Sequence, residues 1–207
     1  AFILLIPTII DAIAALPGPS QYRIALGFDA TAEEHYAAGR LQHWLQVACG
    51  CTIPIVDAAV KPAHQLAVGS AAASSIAAPT RLGLEGFILK SDAPTLSVAI
   101  TGDPGAPRGA IYGVYEYLER LGFGFWDSNA TTVPSNLSSL YFDVDERQLP
   151  MFEDWRHMNN ANLEMDEQDE FSIVSRMNND GGVEDYTARD VEKTGGGVTG
   201  ATAPGLV

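Results

Sequence analysis

A layered α/β sandwich, a mixed sheet with helices packed on it, is the fold class that this sequence predicts. Three observations lead there. Short strand-like runs are interleaved with helical periods rather than segregated from them. The helical period at 108–121 carries one apolar stripe, as a helix packed on a sheet does. Gly86-Phe-Ile-Leu-Lys90 and Val98-Ala-Ile-Thr-Gly102 read as a hairpin, which adds an antiparallel pair to an otherwise βα-ordered chain.

The elements can be justified in order. Tyr22-Arg-Ile-Ala-Leu-Gly-Phe28 alternates and reads as a strand. Thr31 is an N-cap, with Glu33 and Glu34 in the first turn where the helix dipole favours acids. The helix it starts runs to about Ala48 and buries Tyr36, Leu41, Trp44 and Leu45, leaving His35 and His43 on the exposed side. Ile53 to Val56 and Gln65 to Val68 are short strands. Ala71 to Ala78 is a small-residue helix or turn ended before Pro79. In the 108–121 helix, Ile111, Val114, Tyr115, Leu118 and Leu121 form the apolar face. Gly109 and Gly113 would admit a close backbone, and Gly122 stops the helix with a positive φ. An aromatic strand follows near 123–126. From Tyr141 to Leu149 an extended segment leads out of the domain to Pro150.

Composition narrows the function classes. The 207 residues are 46% apolar and 18% charged, with a net charge of −14. Residues 1–142 hold eleven acids against seven Lys/Arg, and residues 143–207 hold fifteen against five. Such an acidic chain repels phosphate backbones and anionic lipid, so neither nucleic acid nor membrane insertion of the mature domain is expected. The apolar N-terminus, Phe2-Ile-Leu-Leu-Ile6 and Ile9-Ile10, is interrupted by Pro7 and Asp11 and is too short to span a bilayer. Two readings of it stay open, a signal-peptide remnant and a first element of the mature domain.

Cys49 and Cys51 are the only cysteines. Strand geometry would point both side chains the same way but offset along the chain, so the expectation is two buried thiols rather than a bridge. No Cys/His cluster suggests a zinc site, and no cofactor or metal is expected. Asn129-Ala-Thr131 and Asn136-Leu-Ser138 are both N-glycosylation sequons in a Ser/Thr-rich stretch. Together with the signal-remnant reading of the N-terminus they favour a secreted, extracellular glycoprotein. Beyond Asn178 the chain is rich in Gly, Thr, Ala and Asp, and 195–204 is nearly free of bulky residues. Such a tail cannot bury enough surface to offset its ordering entropy, and is expected to be flexible unless a partner captures it.

The block Arg108-Gly-Ala-Ile-Tyr-Gly-Val-Tyr-Glu-Tyr-Leu-Glu-Arg-Leu-Gly-Phe-Gly-Phe-Trp126 resembles the "RGxxYGVYxFLExLGxxWF" segment in the N-terminal α/β domain of family 67 α-glucuronidases, family 20 β-hexosaminidases and related uncharacterised proteins. Asp29-Ala-Thr-Ala-Glu-Glu34, Ala37-Ala-Gly-Arg-Leu-Gln-His-Trp-Leu45 and Gly50-Cys-Thr-Ile-Pro-Ile-Val56 are similar to that domain's "AAxELxxYLxxxTGxxLPIV" helix and strand. Leu66-Ala-Val-Gly-Ser70 is similar to its "IxVG" strand, and the 86–102 hairpin to its "EGFxIxxxxxxLxIxG". The likeness covers roughly residues 20 to 157. It implies an accessory domain that precedes a catalytic (β/α)₈ barrel. In those enzymes a segment like Leu149-Pro-Met-Phe-Glu-Asp-Trp-Arg156 enters the first barrel strand, and the arginine of "PxFxxR" binds sugar hydroxyls. Arg156 matches that position. Its planar fork suits vicinal hydroxyls or a uronate. Trp155 offers a stacking face, and His157, Asn159 and Asn160 offer polar contacts. The competing reading pairs Arg156 with nearby acids and places Trp155 in a core.

A barrel needs about 250 residues, whereas 57 follow Pro150. Glycoside hydrolysis needs two carboxylates flanking the scissile bond. The acids Glu164, Asp166, Glu167, Asp169 and Glu170 form one solvated run, so no catalytic residue is assigned. The Ser70–Ser75 run lacks the G-x-S-x-G elbow. The turn Gly102-Asp-Pro-Gly-Ala-Pro-Arg-Gly109 lacks the P-loop Lys-Ser/Thr, which leaves Arg108 structural. The expected organisation is an apolar segment at 1–19, the α/β domain at 20–149, the start of an incomplete barrel at 150–180 and the tail at 181–207. Two functions follow. The first is a non-catalytic accessory domain of a glycoside hydrolase-like protein, truncated before its barrel and with carbohydrate or the missing catalytic domain as partner. The second is an extracellular structural or assembly protein that reuses this domain and self-associates in a filament or coat.

Overall fold

The computed structural model describes residues 16–78, 81–104, 108–127, 130–150 and Val174. Eight strands are formed among the described residues: β1 (Arg23–Leu26), β2 (Ile55–Asp57), β3 (Gln65–Val68), β4 (Phe87–Asp92), β5 (Ser97–Gly102), β6 (Gly124–Asp127), β7 (Ala130–Thr132) and β8 (Asp145–Gln148). Three α-helices join them: α1 (Ala32–Cys49), α2 (Ser70–Ala73) and α3 (Arg108–Arg120). Six strands make one mixed sheet in the order β2-β1-β3-β5-β4-β8, and β6 and β7 pair separately. β2, β1, β3 and β5 run parallel, whereas β4 is antiparallel to both β5 and β8. The α/β sandwich expected from the sequence is the fold observed.

The two sheet faces are unequal because β1, β3 and β5 alternate large residues with alanine. Ile24 and Leu26, Leu66 and Val68, Val98 and Ile100, and Phe87 and Leu89 face the main core. There they meet Leu41 and Leu45 of α1 and Ile111, Val114, Tyr115 and Leu118 of α3. Ala25, Ala67 and Ala99, in register across β1, β3 and β5, face the other way. Their small side chains let α2 lie close to the sheet, with Ala72, Ala73 and Ala77 completing a thin second layer. The stripe read from the sequence thus packs on the sheet as expected. On α1, Leu41 and Leu45 are buried, but Tyr36 and Trp44 are only half-buried, and His35 and His43 are exposed. Gly122 has the positive φ expected at the α3 terminus, at 99°.

Three expectations change. The extended segment from Tyr141 does not lead out of the domain, because β8 extends the sheet beyond β4, with Leu89 opposite Glu146 and Lys90 opposite Asp145. The buried Tyr117 hydroxyl donates to the Leu140 carbonyl, and Phe142 stacks on the Tyr117 ring, so the approach to β8 is fixed to α3. Cys49 and Cys51 are joined by a disulfide rather than being separate thiols. The strand geometry assumed for them does not apply. Cys49 ends α1, and Gly50 caps the helix in the left-handed region (φ 64°, ψ 13°), turning the chain so that the two Cα atoms lie 5.2 Å apart. Finally, Val174, expected in a separate barrel start, is itself buried within the main core.

Candidate functional site

Trp155, Arg156, His157, Asn159, Asn160 and Asn129 lie outside the described residues, as do the acidic run at 164–170 and the tail at 195–204. Of the positions singled out from sequence for sugar or glycan chemistry, Asn136 is the one the structure places. It is exposed in the irregular segment between β7 and β8, as is Ser138, while Leu137 between them packs against the main core. The backbone of the sequon is thereby tethered by its middle residue and offers both polar side chains to solvent.

The described part of the family-like block is held by backbone proximity and by a buried ion pair. The first turn of α3 rests on the sheet where β4 begins and β5 ends. A Cβ on Gly109 would fall inside contact distance of the Gly86 carbonyl oxygen, and lie 2.8 Å from the Gly86 carbonyl carbon and 3.2 Å from the Gly102 Cα. Glycine at 109 is therefore a requirement of close approach. Beside it, Arg108 lies over the Tyr112 ring at 5.5 Å and 3.6 Å from the buried Glu85 carboxylate. Arg108 has the structural role expected of it, since Glu85 is buried and a buried charge needs its partner.

The carboxyl ends of β1 and β3 adjoin where the chain order reverses, which in open α/β sheets is where ligands bind. Here the position is filled by the protein itself. Glu34 is buried, and its carboxylate accepts from the Thr31 N–H at 3.0 Å and the Ser70 N–H at 2.8 Å, while its own N–H donates to Thr31 Oγ1 at 3.3 Å. One side chain thus completes the capping box of α1 and ties that helix to the β3–α2 junction. The Thr-x-x-Glu spacing was the available signal for it.

The remaining buried carboxylate among the described residues, Glu116, pairs with Arg120 at 2.9 Å, and Arg120 also reaches Glu146 of β8 at 2.7 Å. These two carboxylates raise the Arg120 pKa, the Glu116 hydrogen bond most. Glu34, Glu85 and Glu116 are each engaged by a partner within the fold. No group of three or more His, Cys, Asp or Glu suited to a metal ion occurs among the described residues, and none of their helices is long and apolar enough to cross a membrane.

The β6–β7 hairpin carries the residue that the sequence reading passed over. Phe123 and Phe125 turn inward and stack, with Phe125 edge-on to Trp44 and Tyr115. Trp126 instead stands 73% exposed. Its adjacency to Phe125 was the one signal in the sequence, but the register shift between Phe125 and Asp127 is seen only in the structure. Neither a family model nor a curated protein matches this chain.

Proposed function

We propose that this chain is the non-catalytic α/β accessory domain of a carbohydrate-active, glycoside hydrolase-like protein. The observation that carries the reading is the block from Arg108 to Trp126. Its first residues and its phenylalanines have defined contacts: Gly109 against Gly86, Arg108 against Glu85, and Phe123 and Phe125 against α1 and α3. The other family-like segments fall in the implied order, as α1, β2, β3 and the β4–β5 hairpin.

The test has two arms. The purified 207-residue protein is assayed against aryl glycosides, including the glucuronide and the N-acetylglucosaminide, and the coding sequence beyond Val207 is read. The expected result is no turnover by this protein, with a downstream barrel whose strand ends present two opposed carboxylates. Turnover abolished by changing a single Asp or Glu of this chain would overturn the accessory role. A downstream sequence of structural repeats would overturn the carbohydrate reading in favour of an assembly protein.

A further inference from the structure

The geometry of the β6–β7 hairpin points to a carbohydrate-binding platform at Trp126, recognising the flat C–H face of a neutral pyranose. The pairing of the hairpin slips at this residue. Gly124 lies opposite Thr132 and Phe125 opposite Thr131, but Asp127 lies opposite Ala130, so Trp126 is the extra residue of a bulge. Bulges re-aim side chains and recur beside binding sites. Here the indole folds back over Gly124, on which a Cβ would sit 2.7 Å from ring atoms Cε2, Cζ2 and Nε1. The ring also reaches across the pair, where Nε1 donates to Thr132 Oγ1 at 2.9 Å. The Nε1 side of the ring is held against bare backbone, in a side chain that remains 73% exposed.

Each of these features fixes the ring without hiding it. A rigid aromatic surface has already lost the rotamer freedom that binding would otherwise cost. Burial does not account for the arrangement, because the inward residues Phe123 and Phe125 already anchor the hairpin. The chemistry of the rim selects the ligand. Thr132 Oγ1 accepts from the indole, which leaves its O–H to donate at the edge of the ring. An apolar plate edged by a hydroxyl matches a pyranose, which has an apolar C–H face and hydroxyls around its perimeter. The other exposed described residues of the hairpin are Asp127, Ala130 and Thr132, unlike the broad apolar centre of a protein interface. A net charge of −14 disfavours a nucleic-acid base carried on a phosphate backbone, and equally an anionic polysaccharide.

The choice of sugar as ligand rests on the carbohydrate reading of function, whereas the fixed and open indole does not. The experiment follows the Trp126 indole ¹H–¹⁵N resonance, assigned by its loss in Trp126→Phe, during titration of the 207-residue protein with cellohexaose, xylohexaose and N-acetylchitohexaose. The expected result is a saturable shift with at least one of them, at a dissociation constant of about 0.1–10 mM. Trp126→Ala should weaken binding about tenfold or more with an unchanged thermal midpoint, Trp126→Tyr should retain most of it, and Thr132→Val should weaken it by releasing the ring. An indole silent to all three sugars, or binding unchanged in Trp126→Ala, overturns the proposal. So does a Trp126→Ala protein that differs from wild type in sedimentation, because the ring would then serve self-association. A silent indole in a protein encoded with a downstream barrel would remove the platform and leave the accessory role standing. A responsive indole upstream of structural repeats would do the reverse.

Discussion

Replacing Gly109 by alanine should destabilise this protein, although the same change in an unhindered helix stabilises it. Alanine exceeds glycine in helix propensity by about 1 kcal/mol. At Gly39, in the middle of α1, a Cβ would meet nothing within 4 Å, so Gly39→Ala should show that gain nearly in full. At Gly113, on α3, the new Cβ would lie 3.0 Å from Ile100 Cγ2 and 3.4 Å from Phe87 Cβ. Side chains can give way there, and the net change should be close to zero. At Gly109 the obstacle is the Gly86 backbone, with the Gly102 Cα also close, and neither can rotate aside. The first turn of α3 must lift from the sheet, loosening the contacts of Ile111 and Val114. Overpacking of this kind costs about 1–3 kcal/mol, and a rigid neighbour puts it at the upper end. After the propensity gain, Gly109→Ala should still lose about 2 kcal/mol. Urea unfolding of the three variants, followed by far-ultraviolet circular dichroism, gives the comparison at constant slope. The predicted order of stability is Gly39→Ala, then Gly113→Ala, then Gly109→Ala. A Gly109→Ala protein as stable as wild type would refute the close crossing of α3 over β4 and β5.

Other outcomes follow from single residues. Burial pushes the Tyr117 phenol well above its ordinary value, and burial raises Tyr22 as well, so the folded state keeps these protons longer than the unfolded chain. The stability this contributes is fully present below about pH 10, the unfolded phenol value, and is lost as pH rises from there through the folded values. Urea midpoints should therefore fall above that pH, less steeply in Tyr117→Phe. At neutral pH that variant should lose about 1–3 kcal/mol, because the Leu140 carbonyl is left unpaired. Cys49→Ser should cost at most about 2 kcal/mol, since the ring it opens is very short. Thiol titration of the oxidised wild-type protein should find no free thiol, and two reactive thiols would contradict the bridge. Secreted from a eukaryotic host, the Asn136→Gln protein should migrate faster than wild type, and equal migration would exclude glycan at that exposed sequon.

The elements that were legible in the sequence are those whose signals are local. A helix stripe with spacings of three and four, as in Ile111, Val114, Tyr115 and Leu118, can satisfy its apolar face only by packing, so α3 was readable with its terminus at Gly122. The β-rich runs around β1 and β3 and the β4–β5 hairpin were readable for the same reason. Reading the cysteines on strand geometry failed because Gly50 terminates a helix between them, and the left-handed turn there reverses the assumption. The place of β8 was hidden because Asp145-Glu-Arg-Gln148 is a charged edge strand with no apolar alternation, held in the sheet by its partner β4, by the Tyr117 hydrogen bond and by the Arg120–Glu146 ion pair.

Much the same division holds for the candidate sites. The sequence by itself determined the α/β class, the helical stripes, the acidic charge and the sequon at Asn136, because each depends on residue type and spacing along the chain. Only the tertiary structure decided that Glu34 fills the junction of β1 and β3 and that Arg108 neutralises Glu85. It also decided that Trp126 leaves the β6–β7 pairing to lie open over Gly124. These depend on which backbones meet across long sequence separations or on a one-residue slip in pairing, and neither is set by the chemistry of adjacent residues.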